Sequence, residues 1–337
     1  MSTILVTGCA GFIGMHCAER LLARGAQVVG IDNLNAYYDP ALKEARLARL
    51  TGHPRFRFER IDLADRAAMA DLFARVQPAR VLHLAAQAGV RYSIDQPDDY
   101  TDSNLLGFGH LLQGCRAAQV EHLVFASSSS VYGGNARLPY SERDAVDHPI
   151  SYYAATKKAN EVMAHTYAHL YRIPVTGLRF FTVYGPWGRP DMALFKFTRA
   201  MLAGEPIDIY GHGQLVRDFT YIDDIVEGVL RVLDKPATPD PAYDPAAPNP
   251  STSSAPYRIF NIGNSAPTVL MDYITALESA LGITARKNML PIQPGDMHST
   301  AAVTSALAAW VGFAPSTPVQ TGVARFVNWY RGFYEGQ

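Results

Sequence analysis

The sequence predicts an α/β protein: a Rossmann-type, doubly wound parallel sheet with a smaller C-terminal α/β substrate-binding lobe. Short β-branched runs alternate with helical patterns through the first half of the 337-residue chain, which is typical of a parallel sheet with helices on both faces. A glycine-rich turn joins the first run to the first helical pattern. The alternation is lost after about Thr182, as expected of a lobe that closes over the carboxyl ends of the strands.

The predicted elements follow in order along the chain. The strands are short apolar runs, expected to be buried on both faces, at residues 3–7, 27–32, 56–62, 80–86, 122–127 and 175–180. Helical periodicity occupies residues 14–23 and 65–76. We expect a first domain over residues 1–180 and a second lobe over 181–337, with segments near 217–235 and 258–263 returning to the first domain. Residues 235–256 are rich in proline and nearly devoid of large apolar side chains, which indicates an exposed loop.

Composition excludes several classes of protein. The chain is 48% hydrophobic and 18% charged, with 30 Lys and Arg against 31 Asp and Glu, so neither disorder nor binding to a polyanion is indicated. The start of the chain lacks the pattern of a secretion signal and no long apolar stretch follows, so we expect a cytoplasmic protein. The three cysteines and ten histidines are scattered, which predicts reduced structural thiols, His83 within a buried strand, and no metal site.

The glycine-rich turn predicts a site for NAD. Its sequence, TGCAGFIG at residues 7–14, lies between a strand and a helix, the context that a dinucleotide fingerprint requires. Glycines let the backbone approach a pyrophosphate, and the helix N-terminus offers unpaired N–H groups to it. Asp32 ends the next strand, where a carboxylate binds ribose hydroxyls and disfavours NADP. Its alternative role is to cap a turn with Asn33. The predicted cofactor-binding residues are Gly8, Gly11, Phe12, Ile13, Gly14 and Asp32.

A second group of residues predicts acid–base chemistry. Ser128, Ser129 and Ser130 follow a strand, and Tyr153 and Lys157 lie four residues apart, on one face of a predicted helix. A phenol has a pKa of about 10, and a neighbouring ammonium or a positively charged nicotinamide favours the phenolate. We therefore assign Tyr153 as the base, with Lys157 supplying charge and gripping the nicotinamide ribose. The alternatives are serines that cap turns and a tyrosine and lysine on an exposed helical face.

Together the TGxxGxxG turn, the serine cluster and YxxxK resemble the extended short-chain dehydrogenase/reductase family over nearly the whole chain. Four further blocks resemble the UDP-glucuronate 4-epimerases of that family; they lie at residues 83–92, 178–191, 217–224 and 290–296. The resemblance implies that NAD takes a hydride from sugar C4 while Tyr153 accepts the O4 proton, helped by Ser128. Ser129 and Ser130 remain open for that role. It also implies tightly bound NAD, with Asp62 and Leu63 near the adenine.

Substrate residues are assigned from the same resemblance. Thr182 stands where relatives that act on other sugars commonly have Asn, and Arg189 follows. A hydroxyl and a guanidinium suit a carboxylate, so we assign both to the C6 carboxylate of the sugar, with Arg91 as a second cation. Arg189 could instead bind the diphosphate or lie on the surface. The resemblance places Arg217 at the diphosphate and Asp296 near the uridine ribose.

The expected activity is C4 epimerisation of UDP-glucuronate to UDP-galacturonate through a 4-keto intermediate. A decarboxylase that forms UDP-xylose shares the first half-reaction and is the main alternative. A neutral UDP-hexose 4-epimerase is disfavoured by Thr182 and Arg189, and a non-catalytic NAD sensor is disfavoured by Tyr153 and Lys157. Family resemblance also implies a homodimer formed through the helices at residues 105–117 and 153–171, although apolar faces there could equally pack within one chain.

Overall fold

The computed structural model describes residues 2–293 and 297–335. Within these residues the strands are β1 (Thr3–Thr7), β2 (Gln27–Asp32), β3 (Phe56–Arg60), β4 (Arg80–His83), β5 (His122–Ser128), β6 (Val175–Phe180), β7 (Thr182–Tyr184), β8 (Ile207–Ile209), β9 (Val216–Tyr221), β10 (Tyr257–Ile262), β11 (Pro267–Val269) and β12 (Lys287–Met289). The six strands of the first half were all predicted, with ends that differ by at most a few residues.

The helices of the described residues are α1 (Phe12–Ala23), α2 (Pro40–Thr51), α3 (Arg66–Val76), α4 (Tyr92–Asp95), α5 (Pro97–Tyr100), α6 (Gly107–Ala117), α7 (Tyr152–Tyr171), α8 (Ala193–Leu202), α9 (Ile222–Leu233), α10 (Leu270–Leu281), α11 (Ser305–Val311) and α12 (Val319–Tyr334). A π-helical segment, Thr101–Leu106, joins α5 to α6, and 3₁₀ turns occupy Ser129–Tyr132 and Tyr210–Gly213. Of these helices, none is both long and apolar enough to cross a membrane.

The main sheet confirms the predicted Rossmann-type fold. Its seven strands have the order β10-β6-β5-β4-β1-β2-β3, and every pair is parallel. The carboxyl ends of β1, β2, β4, β5 and β6 therefore meet at one edge, where the order reverses on either side of β1. Two smaller sheets, β11-β9-β7 and β12-β8, lie in the second half of the chain.

The burial of the strands agrees with most of the predictions made for them and corrects one. The central strands β5 and β6 are buried almost throughout, as expected between two helical layers. Strand β3 alternates between partly buried and exposed residues, so its predicted burial on both faces was wrong. It lies at the edge of the sheet, next to β2, where a strand has a neighbour on one side only.

The proline-rich segment is exposed only in part. Residues 241–250 are exposed or partly exposed, as predicted. Ser251, Ser253 and Ala255 are buried, however, and the Ser253 hydroxyl lies 2.8 Å from His165 Nε2. The end of the segment thus leads directly into β10, which completes the main sheet.

Candidate active site

A cleft opens along the carboxyl edge of the main sheet. The predicted cofactor residues that line it are Gly8, Gly11, Phe12, Ile13, Gly14, Asp32, Asp62, Leu63, Tyr153 and Lys157. Gly8 has a φ of +72°, and a Cβ there would lie 2.8 Å from the Ala85 nitrogen. A Cβ on Gly14 would lie 2.0 Å from the Gly8 oxygen. No side chain caps the start of α1, so its first N–H groups can receive an anion.

Asp32 and Asp62 are held by the loops that follow their strands. The Asp32 carboxylate accepts hydrogen bonds from the backbone nitrogens of Ala10 (3.2 Å) and Leu34 (2.9 Å). The contact with Leu34 is the turn-capping role considered above, and it coexists with a position on the cleft wall. Asp62 accepts from the Asn33 amide at 2.9 Å. The two carboxylates therefore flank the same end of the cleft.

Lys43 and Asn35 also line the cleft and were not found from the sequence. The Lys43 ammonium donates to the Asn35 backbone oxygen (2.8 Å) and side-chain oxygen (2.6 Å). Burial lowers the pKa of Lys43, and the charge of Asp32 partly opposes this. The available signal was a lysine soon after the strand that ends in Asp32, but the helix that carries it, α2, was not predicted.

The catalytic candidates separate into one hydroxyl in the cleft and two outside its lining. Ser128, at the end of β5, lines the cleft together with Tyr153, and its hydroxyl acts to lower the pKa of the Tyr153 phenol. Ser129 and Ser130 belong to the 3₁₀ turn that follows, and neither is among the residues that line the cleft in the described chain. The Ser130 nitrogen instead donates to the Ser128 hydroxyl at 3.1 Å. The end of the strand thus selects Ser128 as the partner of Tyr153.

Arg189 and Lys157 both place a positive charge near Tyr153, and only the charge of Lys157 was expected from the sequence. Burial raises the pKa of Tyr153, and the Ser128 hydroxyl and the positive charge of Arg189 oppose this rise. Lys157 donates to the Ala126 oxygen at 2.9 Å, and its ammonium lies 6.0 Å from the centre of the Tyr153 ring. Burial lowers the pKa of Lys157 to about 8. Above that pH, therefore, most Lys157 side chains carry no charge.

Arg189 lies on the cleft wall with its charge already balanced. It pairs with Asp191 through Nε and Oδ1 at 3.0 Å and through a second contact between Nη2 and Oδ2. The Tyr37 hydroxyl donates to the same carboxylate at 3.1 Å. Sequence reasoning missed Asp191 and Tyr37, because the contact between Tyr37 and Asp191 joins residues more than 150 positions apart.

The remaining substrate candidates are not all gathered at this cleft. Thr182 begins β7 and lines a smaller cavity that shares Arg189 with the cleft. Arg91 lies over the Tyr210 ring at 5.2 Å, and Arg217 donates to the His298 oxygen at 3.2 Å. Among the residues described, neither arginine belongs to the lining of the cleft. Asp296 lies outside the described residues.

The histidine and cysteine side chains have structural surroundings. His83 is buried in β4, and its Nδ1 lies 2.8 Å from the Thr7 hydroxyl, as the sequence predicts. Burial and the charge of Lys157 lower its pKa to about 3, so the ring is neutral at pH 7. Cys9, Cys17 and Cys115 are buried free thiols. Over residues 2–293 and 297–335, no cluster of three potential ligands could hold a metal ion.

Comparisons with known proteins agree with this geometry. The profile of the NAD dependent epimerase/dehydratase family matches residues 4–263. An uncharacterized 37.6 kDa protein from Escherichia coli O111:H- is 60% identical over 98% of this chain and 99% of its own length. A probable UDP-glucuronate 4-epimerase from Rhizobium meliloti is 49% identical over 97% and 96%. The crystal structure of UDP-glucuronic acid 4-epimerase from Bacillus cereus, in complex with UDP-glucuronic acid and NAD, has a TM-score of 0.87 at 32% identity and covers 98% of this chain and 100% of its own.

Proposed function

The chain belongs to the NAD dependent epimerase/dehydratase family, and on that premise we propose that it interconverts UDP-glucuronate and UDP-galacturonate by epimerisation at C4. One observation carries the proposal: Arg189 and Tyr153 lie in the same cleft, close enough for the charge of one to act on the phenol of the other. A cation for a sugar carboxylate then lies beside the group that takes the sugar's proton. The relatives named UDP-glucuronate 4-epimerase support the same substrate.

The cleft fits NAD as the resident cofactor. The glycine turn packs tightly against the start of α1, since a Cβ on Gly14 would meet the Gly8 oxygen, and the uncapped N–H groups there can receive a pyrophosphate. Asp32 offers a carboxylate to ribose hydroxyls and repels a 2′-phosphate. When bound, NAD supplies the acceptor and later the donor of the hydride. Because the reaction returns that hydride to the sugar, one bound cofactor serves successive turnovers.

Tyr153 moves the proton in both half-reactions. It accepts the proton of O4 as C4 loses a hydride, and the sugar becomes a 4-ketone. After the flat ketone has turned over, C4 regains the hydride on its other face and Tyr153 returns the proton to O4. Ser128, which lines the cleft together with Tyr153, holds O4 near the phenol. The substrate and product have the same oxidation state, so no external reductant is needed.

The carboxylate must be held while the ketone exists. A 4-keto hexuronate is a β-keto acid, and CO₂ leaves most readily when the bond from C5 to the carboxylate is perpendicular to the carbonyl plane. We assign Thr182 and Arg189 to hold the carboxylate in another orientation. Their shared cavity beside the cleft supports this assignment. The same contacts distinguish an epimerase from a decarboxylase.

The test is to incubate the purified protein with UDP-glucuronate without added NAD, and to follow products by NMR and CO₂ in parallel. We expect UDP-galacturonate without gas. UDP-xylose with CO₂ would instead establish a decarboxylase, and no turnover even with NAD supplied would refute the proposal. Tyr153→Phe should abolish turnover while NAD stays bound. Its matched control is Tyr152→Phe, because Tyr152 is exposed on the neighbouring face of α7 and contacts the Thr101 hydroxyl.

The outer part of the nucleotide sugar is assigned to the second half of the chain. We propose that residues 1–180 bind NAD and that residues 181–337 provide the UDP-sugar lobe, apart from β10 in the main sheet. Arg217 remains our residue for the diphosphate and Asp296 for the uridine ribose, with Arg91 as a second cation. The contact of Arg217 with the His298 oxygen supports its place in this lobe, because both residues belong to the second half of the chain.

We also propose a homodimer formed through α6 and α7. These helices pack on each other, yet Leu106 at the start of α6 and Val162 and Leu170 on α7 stay exposed. A second copy of the chain would cover them. Val162→Glu should halve the mass measured by light scattering, whereas Ile94→Glu, at an equally exposed residue of α4, should not. A wild-type monomer would refute the assignment.

The cytoplasm is our proposed location. The three free, buried thiols support a reducing compartment, where cysteines stay unpaired. Cell fractionation with an antibody to the protein tests this, and recovery outside the cytoplasm would contradict it.

A further inference from the structure

Arg46 is a buried cation outside the lining of the cleft. Its side chain is fully buried on α2, and its guanidinium donates to backbone oxygens of two distant segments. Nε and Nη2 donate to the Trp187 oxygen at 3.1 and 2.7 Å, and Nη2 also donates to the Gly188 oxygen at 3.1 Å. Nη1 donates to the Ala10 oxygen, in the glycine turn, at 3.3 Å. Burying a charge costs free energy unless such acceptors surround it. The acceptors around Arg46 meet this requirement, and the arrangement indicates a structural role for the residue.

The turn that Arg46 holds has a strained backbone. Trp187 has a φ of +62°, in the left-handed region that side chains rarely adopt. Such residues persist only where the surrounding structure holds them. His16, on α1, contributes a further contact, since its Nε2 lies 3.0 Å from the Pro186 oxygen. Burial lowers the pKa of His16 to about 4, so the ring is neutral and Nε2 must carry the hydrogen. Three successive carbonyls, at residues 186–188, thus accept hydrogen bonds from the first half of the chain.

The side chain of Trp187 is held separately. Its ring packs against Trp329 and Phe333 of α12, with centroids 5.2 and 4.9 Å away. Residues of the first half of the chain therefore hold the backbone of the turn, and residues of α12 hold the Trp187 ring. Arg189 directly follows this turn, so the position of the turn sets where the Arg189 side chain begins.

We propose that Arg46 is a positioning residue that fixes the 186–188 turn against the glycine turn and so keeps Arg189 aligned with the substrate's carboxylate. The proposal rests on the function proposed above. Arg46 is not itself part of the cleft lining; its one contact with a lining side chain is the hydrogen bond that it donates to the Tyr38 hydroxyl at 2.6 Å. Its effect reaches the chemistry through Arg189, which both binds the carboxylate and acts on the Tyr153 phenol. Loss of Arg46 should let the carboxylate of the 4-keto sugar approach the orientation that releases CO₂.

The test compares Arg46→Lys with Arg49→Lys. Lysine keeps the charge but loses the planar fork that reaches three carbonyls. Arg49 lies on the same helix but pairs with Glu19 instead of donating to the carbonyls of the turn. Its cation lies over the Trp187 ring at 5.2 Å, a contact that a lysine can keep, so its variant should behave as wild type. The readout is CO₂ released per molecule of UDP-galacturonate formed. This ratio is unaffected by a smaller fraction of folded enzyme.

We expect Arg46→Lys to raise that ratio on the order of ten- to a hundredfold, the cost of a displacement of roughly 1 Å in a reacting group. The acid limb of the pH–rate profile should also move to higher pH, because the charge of Arg189 holds down the pKa of Tyr153. Guanidinium added to Arg46→Ala should restore the wild-type ratio. The proposal would be overturned if the variant preparation contained fewer active molecules but showed the same product ratio and the same acid limb as the wild type. Wild-type failure to epimerise would instead refute the proposed function.

Discussion

Breaking the buried ion pair between Arg179 and Glu161 is expected to destabilise the protein strongly. The pair joins β6 to α7 behind the catalytic candidates, with Nη2 to Oε2 at 2.8 Å and Nε to Oε1 at 2.9 Å. The two side chains are only 1% and 3% exposed. The Ser127 hydroxyl also donates to Glu161 Oε1 at 2.6 Å. The carboxylate therefore compensates a charge that water cannot reach.

The change Glu161→Gln keeps the size of the side chain and removes its charge. Arg179 would keep its hydrogen bond to the Tyr132 hydroxyl at 3.0 Å, but its charge would be buried without a counter-ion. Removing one partner of a buried pair costs about 3–5 kcal/mol. Since folded proteins are stable by about 5–15 kcal/mol, the variant should lose a large fraction of its stability. Replacing both partners, Glu161→Leu with Arg179→Met, should recover most of this loss.

The assay is urea unfolding followed by circular dichroism, with NAD at the same saturating concentration throughout, because a bound ligand adds to stability. The control is Asp223→Asn, which breaks a pair with Arg325 at 3.5 Å whose side chains are 49% and 54% exposed. That change should cost less than about 1 kcal/mol. If Glu161→Gln costs no more than the control, the argument from uncompensated charge is refuted. If the double variant is no more stable than the single one, packing rather than charge accounts for the loss.

Three further predictions follow from charges elsewhere in the molecule. Asp32→Asn, which keeps one of the two oxygens that accept the backbone contacts, should reduce the preference for NAD over NADP by about tenfold or more, since the 2′-phosphate is no longer repelled; a preference unchanged from the wild type in fluorescence titrations would contradict this. Burial lowers the pKa of Lys157 to about 8, so the unfolded chain binds this proton up to a higher pH than the folded one. Stability should therefore rise by about 3 kcal/mol between pH 8 and the unfolded lysine pKa of about 10.4, and Lys157→Met should lack this rise in unfolding curves without cofactor. Burial lowers the pKa of His122 to about 4, so its contribution is present above the unfolded pKa of about 6.5 and is lost as pH falls towards 4, by about 3 kcal/mol. His122→Gln should flatten that acid slope, and parallel slopes would sink the assignment.

The sequence predicted what depends on local pattern. Strand–helix alternation and the turn at residues 7–14 were sufficient for the fold, because periodicity and glycine spacing report burial and close approach directly. The prediction that β3 is buried on both faces was wrong, because its place at the edge of the sheet depends on strand order. Ser128 could not be ranked above Ser129, because the choice depends on where β5 ends.

The spacing of residues along the sequence could not predict contacts between distant segments of the chain. Arg46 hydrogen-bonds Trp187, 141 positions further along the chain, and Tyr37 meets Asp191, 154 positions away. Neither residue carries a motif that marks it. Arg189 was found by chemical type, but its partner Asp191 was not, because a nearby carboxylate in sequence does not specify an ion pair.

The Asp191 pair limits how Arg189 can hold a substrate. Asp191 engages Nε and one Nη of the guanidinium, which is the side that a carboxylate would use for a parallel pair of hydrogen bonds. A sugar carboxylate must then approach the remaining donors of the fork. One arginine approached in this way fixes the carboxylate less completely than a full bidentate pair, so a second donor is required to set its rotation. We propose Thr182 as that donor, since it lines the cavity shared with Arg189. On this assignment, control of the carboxylate depends on the position of the whole segment from β7 to Asp191, and the role proposed for Arg46 follows from that dependence.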